Sequence, residues 1–296
     1  MKNRWLGLAF VSLLAVACAT SPTGRKQLML VPDAQMDQMG AQAFQQLKAQ
    51  TPSEGDPAIN AYVLCVTRPL TDAVKGATDV KQWELVVFKD DTANAFALPG
   101  GKIGVHTGLL KVAKTDAQLA AVIGHEIGHV IARHGAERVS QQLGTQLALT
   151  GAGVLAPDST EGRVILGALG VGAQFGILLP HSRTQESEAD SIGLDLMSQA
   201  GFDPRQSVEL WKNMAAASGG QSPPEWLSTH PANETRIEGL RSQMNTAMPK
   251  YQAAVSHGRQ PKCDRARADL RAPAKDGAQA EVAFAAGALG LPAAGP

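Results

Sequence analysis

Cysteine, aromatic residues and net charge are all scarce in this chain. Of its 296 residues, three are cysteines and 4% are aromatic, and 27 basic side chains balance 27 acidic ones. A neutral chain without a basic stripe and interleaved aromatic residues has no field to recruit nucleic acid, so we exclude nucleic acid as a partner. The 44% hydrophobic and 18% charged content is ordinary for a globular protein, and the length suits one large domain or two small ones.

A hydrophobic run long enough to be a confident membrane span is also missing. The run from Trp5 to Ala17 has the length of a secretory signal core and is too short to cross a bilayer. The region 143–180 is rich in glycine, alanine and leucine, but the polar segment 157–160 interrupts it. It therefore predicts two short helices packed near the site, with a membrane-inserted hairpin as the alternative.

Residues 1–17 are predicted to be a lipoprotein-type signal peptide. Small residues stand directly before Cys18, which resembles a bacterial lipoprotein signal whose cysteine thiol is lipidated and becomes the mature N-terminus. The alternative is a plain signal peptide cut after Ala17 or Ala19, and either form exports the chain. Ala19 is similar to the following residue in lipoproteins of the outer membrane. The predicted location is therefore the periplasm, with an anchor in the outer membrane through lipidated Cys18.

Lipidation of Cys18 would leave two cysteines, Cys65 and Cys263. In an oxidising compartment they can form a disulfide that tethers the C-terminal tail to an early helix. A buried Cys65 with a free Cys263 is the other possibility.

Periodicity and turn signals predict an α+β domain over 27–255. A polar linker over 18–26 precedes it, and the alanine-, glycine- and proline-rich tail over 256–296 is predicted to be disordered. The expected strands are 27–31, 83–88 and a hairpin of 94–98 with 103–106. The expected helices begin at the cap Asp33, at Asp56-Pro57, at capping boxes over 115–118 and 182–185, at Asp203-Pro204, and, for the last one, after His230-Pro231.

The pattern His125-Glu126-Ile127-Gly128-His129 lies within the helix that opens at residue 115. Positions four apart share one helix face, so His125 and His129 can present two imidazoles to one metal ion. Glu126 lies at the edge of that face, close enough to act on a water held by the metal. Zn²⁺ favours imidazole and carboxylate ligands and keeps a position open for water in catalytic sites. The alternative is a charged helix with two histidines by chance.

A catalytic zinc site usually needs a third protein ligand, and Glu186 is the best candidate. It stands near the start of a helix with an apolar inner face, and Asp190 shares its face four residues later. Glu186 can then reach the metal while Asp190 orients a ligand histidine. The alternative is an acidic first turn favoured by the helix dipole, which would explain either Glu186 or Glu188.

Together, the HExxH pattern and the later Glu186-to-Asp190 pattern resemble the HtpX, Oma-type and CAAX-prenyl-protease-type-1 family of gluzincin metallopeptidases, especially its exported envelope members. The similarity covers about residues 25–250 and includes Asn94-Ala95-Phe96-Ala97 and Thr229-His230-Pro231 with Arg236. It implies a zincin-like metallopeptidase domain, mostly helical, with a small sheet beside the active-site helix and one zinc per chain. In the family, the segment that corresponds to Asn94, Ala95, Phe96 and Ala97 is an edge strand that pairs with extended substrate.

The predicted function is zinc-dependent hydrolysis of peptide bonds in misfolded or misassembled envelope proteins. Zinc held by His125, His129 and Glu186 would activate water and polarise the scissile carbonyl, while Glu126 moves the proton to the leaving amine. By resemblance, His230 and Arg236 are candidate donors to the oxyanion. His230 is alternatively a fourth zinc ligand that closes the site, or a plain loop histidine. The competing function is an envelope chaperone whose cleft is idle or self-blocked.

Three further histidines are predicted to lie away from the metal. His106 is expected to face solvent from its strand. His181 is expected at the surface before the second capping box, with a place in the cleft wall as the alternative. His134 stands five residues beyond His129, so on a continuous helix it would turn away from the metal face.

Overall fold

The computed structural model describes residues 18–74, 76–150, 181–217, 225–230, 234–263 and 282–285. The predicted signal peptide at 1–17 lies outside the described residues, as do 151–180 of the glycine- and alanine-rich region and most of the tail. No helix within the described ranges is long and apolar enough to cross a membrane.

The described chain is mostly helical with a small amount of strand, which confirms the predicted class. The strands are β1 (Cys18–Thr20), β2 (Lys26–Leu28), β3 (Gln82–Phe88), β4 (Ala95–Leu98), β5 (Lys102–His106) and β6 (Val282–Ala285). The helices are α1 (Asp33–Gln50), α2 (Pro57–Ala73), α3 (Leu109–Val112), α4 (Asp116–Ile131), α5 (His134–Thr150), α6 (Arg183–Gln199), α7 (Gln206–Ala217), α8 (Glu225–Thr229), α9 (Glu234–Ser242) and α10 (Met244–Ser256).

The main sheet has the strand order β4-β5-β3-β6 among the described residues. The predicted hairpin is present as antiparallel β4 and β5, and its turn requires positive φ at Gly100 and Gly101, which glycine adopts without steric cost. β3 pairs with β5 in parallel and with β6 antiparallel. This leaves β4 at one edge of the sheet, where its outer side is not paired within the described chain.

Both faces of the sheet are covered, which explains why β3 reads as a nearly continuous apolar run. Leu85 and Val87 join the main core with residues of α2 and α4. Val86 and Phe88 point the other way and form a second cluster with Phe44 of α1. Successive side chains of a strand alternate between faces, so a strand buried on both sides needs apolar residues throughout.

The central element is α4, whose residues are nearly all buried. Thr115 caps its N-terminus, because the Thr115 side chain accepts a hydrogen bond from the Gln118 backbone. Only half of the predicted capping box forms, because the Gln118 side chain accepts from Lys114 and donates to Gln206 instead. At α6 the predicted box is complete, with Ser182 and Gln185 each bonding to the other's backbone.

Several predicted boundaries differ from the structure. Residues 18–28, which include the predicted linker, form the antiparallel hairpin β1–β2, and β2 ends at Leu28. Asp33 is the first residue of α1 rather than its cap; its carboxylate pairs with Arg133. The helix after His230 is not the last one, because α10 follows it, and the periodicity of that segment was missed.

The two candidate cysteines are joined, which decides the alternative that the sequence left open. Cys65 of α2 and Cys263 form a disulfide across a sequence separation of 198 residues. Cys263 is 1% exposed, so the chain just after α10 is fastened to the core. The folded domain therefore extends beyond the predicted boundary at 255. Cys18 is a free, exposed cysteine at the start of β1.

Candidate metal centre

Four buried side chains converge between α4 and α6. His125 and His129 belong to α4, Glu186 belongs to the first turn of α6, and His230 follows α8. Each offers one ligand atom, and the four atoms lie within 4.8 Å of one another. None of the four residues is more than 4% exposed.

The distances among these atoms fit a tetrahedral zinc site. His125 Nε2 lies 3.0 Å from His129 Nε2 and 3.2 Å from His230 Nδ1, and Glu186 Oε1 lies 2.9 Å from His230 Nδ1. Glu186 oxygens lie 3.5 Å from the Nε2 atoms of His125 and His129. For zinc with ligands at about 2.0–2.1 Å in a tetrahedron, neighbouring ligand atoms are about 3.3 Å apart.

The chemistry of the donor set supports the fit. Three imidazole nitrogens and one carboxylate oxygen are ligands that Zn²⁺ prefers. Arg236 Nη1 lies 2.6 Å from Glu186 Oε2, so an arginine holds this carboxylate from its other side.

Glycines allow α6 to approach α4 closely enough for Glu186 to reach the histidines. A Cβ at Gly193 of α6 would lie 2.7 Å from the His125 backbone nitrogen, and one at Gly128 would lie 2.9 Å from the Ala189 carbonyl oxygen. These separations are too short for side chains, so the two backbones touch here. The Gly128 inside the HExxH pattern thus serves helix packing.

Charge is distributed unequally among the ligands. Burial alone would lower the pKa of His125, but hydrogen bonds to Asp190 and Glu186 raise it to about 9. Burial and the neighbouring imidazoles lower the pKa of His129 well below its usual value. Burial would raise the pKa of Glu186, yet hydrogen bonds from His125 and His230 hold it far below its ordinary value. Glu186 is therefore an anion at neutral pH, and metal binding would displace a proton from His125.

Asp190 contacts the outer ring nitrogen of His125. Its Oδ1 is 2.9 Å from His125 Nδ1, and Arg236 donates to both Asp190 oxygens at 2.7 Å. Arg236 also pairs with Glu186, and its guanidinium stacks over Trp211 at 4.3 Å. Arg236 is thus held between two carboxylates, on the side of the ligands that faces the core.

His134 lies next to His129, so the prediction that it turns away was wrong. The Nδ1 atoms of the two rings are 2.8 Å apart, and His134 is completely buried. The prediction assumed a continuous helix. Instead α4 ends at Ile131, and Arg133 adopts the left-handed region with φ 56°, which turns the chain so that α5 begins with His134. Burial lowers the pKa of His134 to about 4, so its ring is neutral at pH 7.

Glu126 is engaged by two residues from the segment around α8. Trp226 Nε1 donates to Glu126 Oε1 at 2.7 Å, and His230 Nε2 lies 3.4 Å from the same oxygen. The Trp226 indole stacks on the His230 ring at 4.9 Å between centroids. Sequence reasoning missed Trp226, because no local pattern connects it to Glu126.

A groove of about 270 Å³ runs from this cluster along β4. Its walls include the predicted substrate segment, Asn94, Ala95, Phe96 and Ala97, together with Glu126 and His129. The strand begins at Ala95, and the Asn94 carbonyl extends its pairing by accepting from the His106 backbone.

Arg138 and His181 also line the groove; Arg138 was not predicted there, and for His181 the groove was the alternative to a surface position. The surface position expected for His181 was wrong and the alternative holds, since its ring centroid is 3.8 Å from that of His129. Arg138 contacts the His181 ring, and burial lowers the pKa of Arg138 to about 10. The prediction for His106 was wrong too, because this ring packs on Phe88 and Phe96 and bonds to Thr92.

A helix that carries HExxH, completed by a glutamate from a second helix and set beside an open strand edge, defines a metallopeptidase of the zincin type. Comparison with known proteins agrees. The model of peptidase family M48 matches residues 57–244, and the chain belongs to that family.

Curated relatives come from mitochondria and from bacteria. The chain is 37% identical over 220 residues to the mitochondrial metalloendopeptidase OMA1 of Schizosaccharomyces pombe, covering 73% of this chain and 63% of that protein. It is 32% identical over 219 residues to the beta-barrel assembly-enhancing protease of Escherichia coli K12, covering 72% and 44%. With OMA1 of Bos taurus the identity is 32% over 265 residues, covering 81% and 50%. The chain thus spans about half the length of these relatives.

Proposed function

We propose that the protein is a zinc-dependent endopeptidase of the bacterial cell envelope that hydrolyses misfolded or misassembled envelope proteins. The observation that carries the proposal is the convergence of His125, His129 and Glu186, with Glu126 beside them at the end of a groove. One zinc ion held by these three ligands would supply Lewis acidity, lowering the pKa of a water molecule and polarising the scissile carbonyl.

Glu126 is the proton carrier in this proposal. Its Oε1 lies 3.4 Å from Nε2 of His230, whose Nδ1 belongs to the cluster, so displacement of the His230 ring would open space for a water molecule between the cluster and that oxygen. Glu126 accepts the water proton during attack and delivers it to the leaving amine, whose expulsion needs a proton.

The substrate binds in an extended conformation along β4. This strand has a partner only on its β5 side within the described sheet, so its outer backbone groups can pair with an added strand. Because Glu126 and His129 line the same groove, a peptide on β4 would pass the reacting groups. Backbone pairing selects for unfolded chain and not for one sequence, which suits a misfolded substrate.

His230 and Arg236 receive different roles. His230 Nδ1 lies among the ligand atoms, so we assign His230 as a fourth, displaceable ligand that can turn to the oxyanion once displaced. Arg236 has Nη1 against Glu186, and its Nε and Nη2 donate to Asp190. We therefore assign Arg236 to holding these carboxylates in place.

Three observations support a location in the envelope. The first 17 residues resemble a lipoprotein signal that ends before Cys18, which is exposed at the start of β1. The disulfide between Cys65 and Cys263 suits an oxidising compartment. The Escherichia coli relative is named for beta-barrel assembly.

The competing function is a chaperone-like protein whose protease site is self-blocked. One observation favours it: His230 lies at the fourth ligand position, and Trp226 Nε1 donates a hydrogen bond to the Glu126 carboxylate. In that case the groove would bind unfolded chain without cutting it until His230 leaves.

The substitution Glu126→Gln tests the proposed chemistry. The amide oxygen can still accept from Trp226, so the fold should persist, but the amide cannot carry a proton. We expect casein cleavage to fall by at least about 100-fold, with one zinc retained per chain by atomic absorption. The exposed Glu209, which pairs with Lys212, provides the control Glu209→Gln.

The outcomes separate the two functions. Unchanged cleavage in Glu126→Gln would exclude Glu126 as the base. Absence of cleavage in the wild type, followed by its appearance in His230→Ala, would establish the self-blocked form. If the wild type and His230→Ala are both inactive and still bind unfolded protein, the peptidase proposal is wrong. Zinc content in Glu186→Ala tests the ligand that comes from the second helix, and it should fall well below one per chain.

A further inference from the structure

The two histidine ligands on α4 have different partners behind them. His125 Nδ1 meets the carboxylate of Asp190 directly, whereas His129 Nδ1 meets another imidazole, that of His134. A ligand imidazole normally donates its second N–H to an outer partner that fixes its tautomer and orientation. His134 is such a partner for His129.

The direction of the hydrogen bonds follows from the ligand role of His129. With His129 Nε2 facing the metal, its proton is on Nδ1 and is donated to His134 Nδ1. His134 then carries its proton on Nε2, which donates to Glu188 Oε2 at 3.1 Å. The result is a series of hydrogen bonds that runs from His129 through the His134 imidazole to the Glu188 carboxylate.

This series of hydrogen bonds ends at the turn of the N-terminal hairpin. Arg25 Nε donates to Glu188 Oε2 at 2.9 Å, and the Thr23 hydroxyl donates to the other Glu188 oxygen. Arg25 also donates Nη2 to Glu137 Oε2 at 2.7 Å, which fixes the guanidinium from its other side. Thr23 and Arg25 both lie between β1 and β2.

We propose that the N-terminal hairpin β1–β2 is a positioning element of the metal centre, acting through Arg25, Glu188 and His134 on His129. The inference rests on the proposed function, because His129 is assigned there as a zinc ligand. The Glu188 carboxylate accepts a hydrogen bond from His134 Nε2, and this makes His134 Nδ1 a stronger acceptor. The stronger acceptor orients the His129 ring. Docking of the hairpin and zinc affinity should therefore be coupled.

A purely structural role predicts something different. A buried polar network that only satisfies its own hydrogen bonds would alter the stability of the fold when broken and leave the zinc affinity of the folded protein unchanged. Positioning predicts a change in zinc affinity in variants that remain folded, and a partial rescue when the acceptor for His129 is restored.

The test measures zinc dissociation constants of the full chain by competition with a chromophoric chelator. His134→Phe keeps the volume but removes the acceptor, and we expect zinc affinity to fall about 10–100-fold. His134→Asn places an amide oxygen near the position of Nδ1, so it should recover part of the loss. Arg25→Met should weaken binding by a smaller factor, about 3–10-fold. Lys26→Met removes an exposed charge from the same hairpin and should match the wild type.

Zinc affinity is read without proteolysis, so failure of this inference is distinct from failure of the proposed function. A wild type that binds zinc but cleaves nothing would count against the peptidase alone. Folded His134→Phe and Arg25→Met proteins that bind zinc as tightly as the wild type would overturn the positioning role. Weaker binding in His134→Phe with no change in Arg25→Met would overturn the part assigned to the hairpin. If Arg25→Met does not fold, Thr23→Val removes one hydrogen bond from Glu188 and tests the same link.

Discussion

The two flanks of the metal centre are built from different parts of the chain. On the C-terminal flank, His125 is held by Asp190, and Asp190 by Arg236 of α9. On the N-terminal flank, His129 contacts His134, which contacts Glu188, which contacts Arg25. Each flank therefore ends in an arginine, but the second path contains one more side chain.

The flanks also differ in their exposure to water. The side chain of Arg236 is 3% exposed, whereas that of Arg25 is 22% exposed. Ion pairs that are out of contact with water are sensitive to loss of either partner, while partly exposed pairs are screened. The C-terminal flank should thus carry more of the fold's stability, and the N-terminal flank should be easier to open.

The largest expected effect comes from breaking the C-terminal arginine. Arg236→Met removes the guanidinium that pairs with the buried carboxylates of Glu186 and Asp190, which costs about 3–5 kcal/mol of unfolding free energy. Arg25→Met should cost less, about 1 kcal/mol, because Glu137 keeps Gln27 and Gln185 as donors. Urea unfolding in the presence of a zinc chelator measures both. Equal losses would show that the flanks do not differ.

The disulfide gives the C-terminal side a covalent fastening that is not seen in the N-terminal hairpin. Cys263→Ser should lower the unfolding free energy by about 2–5 kcal/mol, since the bridge closes a long loop in the unfolded chain. The wild type in reductant should match the variant, and reductant should not affect the variant further. A wild type that keeps its melting temperature in reductant would contradict this expectation.

Separating α4 from α6 should disturb both flanks at once. Gly193→Ala forces a methyl group against the His125 backbone. We expect the unfolding free energy to fall by about 1–3 kcal/mol and zinc binding to weaken. A Cβ at Gly239 of α9 would meet no atom within 4 Å, so Gly239→Ala is the matched control. The control should be neutral or gain up to about 1 kcal/mol. Normal zinc affinity in Gly193→Ala would show that the helices can separate without moving Glu186.

The smallest effect is a pH dependence of the N-terminal flank. Burial would raise the pKa of Glu137, but hydrogen bonds from Arg25 and Gln185 lower it below its ordinary value of 4.5. The unfolded chain therefore binds a proton at higher pH than the folded one. The Glu137 carboxylate contributes to the unfolding free energy above about pH 4.5, and this stability is lost as pH falls below that value. Glu137→Gln should flatten this part of the stability curve, measured by urea unfolding at stepped pH. An unchanged curve would assign the dependence to other carboxylates.

The predictions about which side chains of the site share a helix face depend on short-range geometry. His125 and His129 share a face because they stand four apart on one helix, and Asp190 follows Glu186 by the same spacing. The pairing of Glu186 with α4 rested on the need of a catalytic zinc site for a third ligand and on the aspartate four residues after Glu186, since two acidic residues competed for the role. The structure brings Glu186 to the cluster and places Glu188 on His134 and Arg25 instead.

The missed residues depend on contacts between distant segments. His134 was misplaced because one residue, Arg133, leaves the helical conformation, and helical periodicity does not reveal such a break. Trp226 meets Glu126 across 100 residues, and Arg25 meets Glu188 across 163. Nothing in the local sequence marks these pairs.

By itself, the amino-acid sequence determined the helix that carries HExxH, the hairpin beside it and the kinds of side chain that could hold a metal, because these follow from periods of a few residues and from the chemistry of imidazole and carboxylate groups. Tertiary structure alone decided which acid joins the histidines, that His230 and Trp226 close over Glu126, and that an N-terminal arginine stands behind His129. Those contacts arise from how whole elements pack, and packing is set by surfaces assembled from residues far apart in the chain.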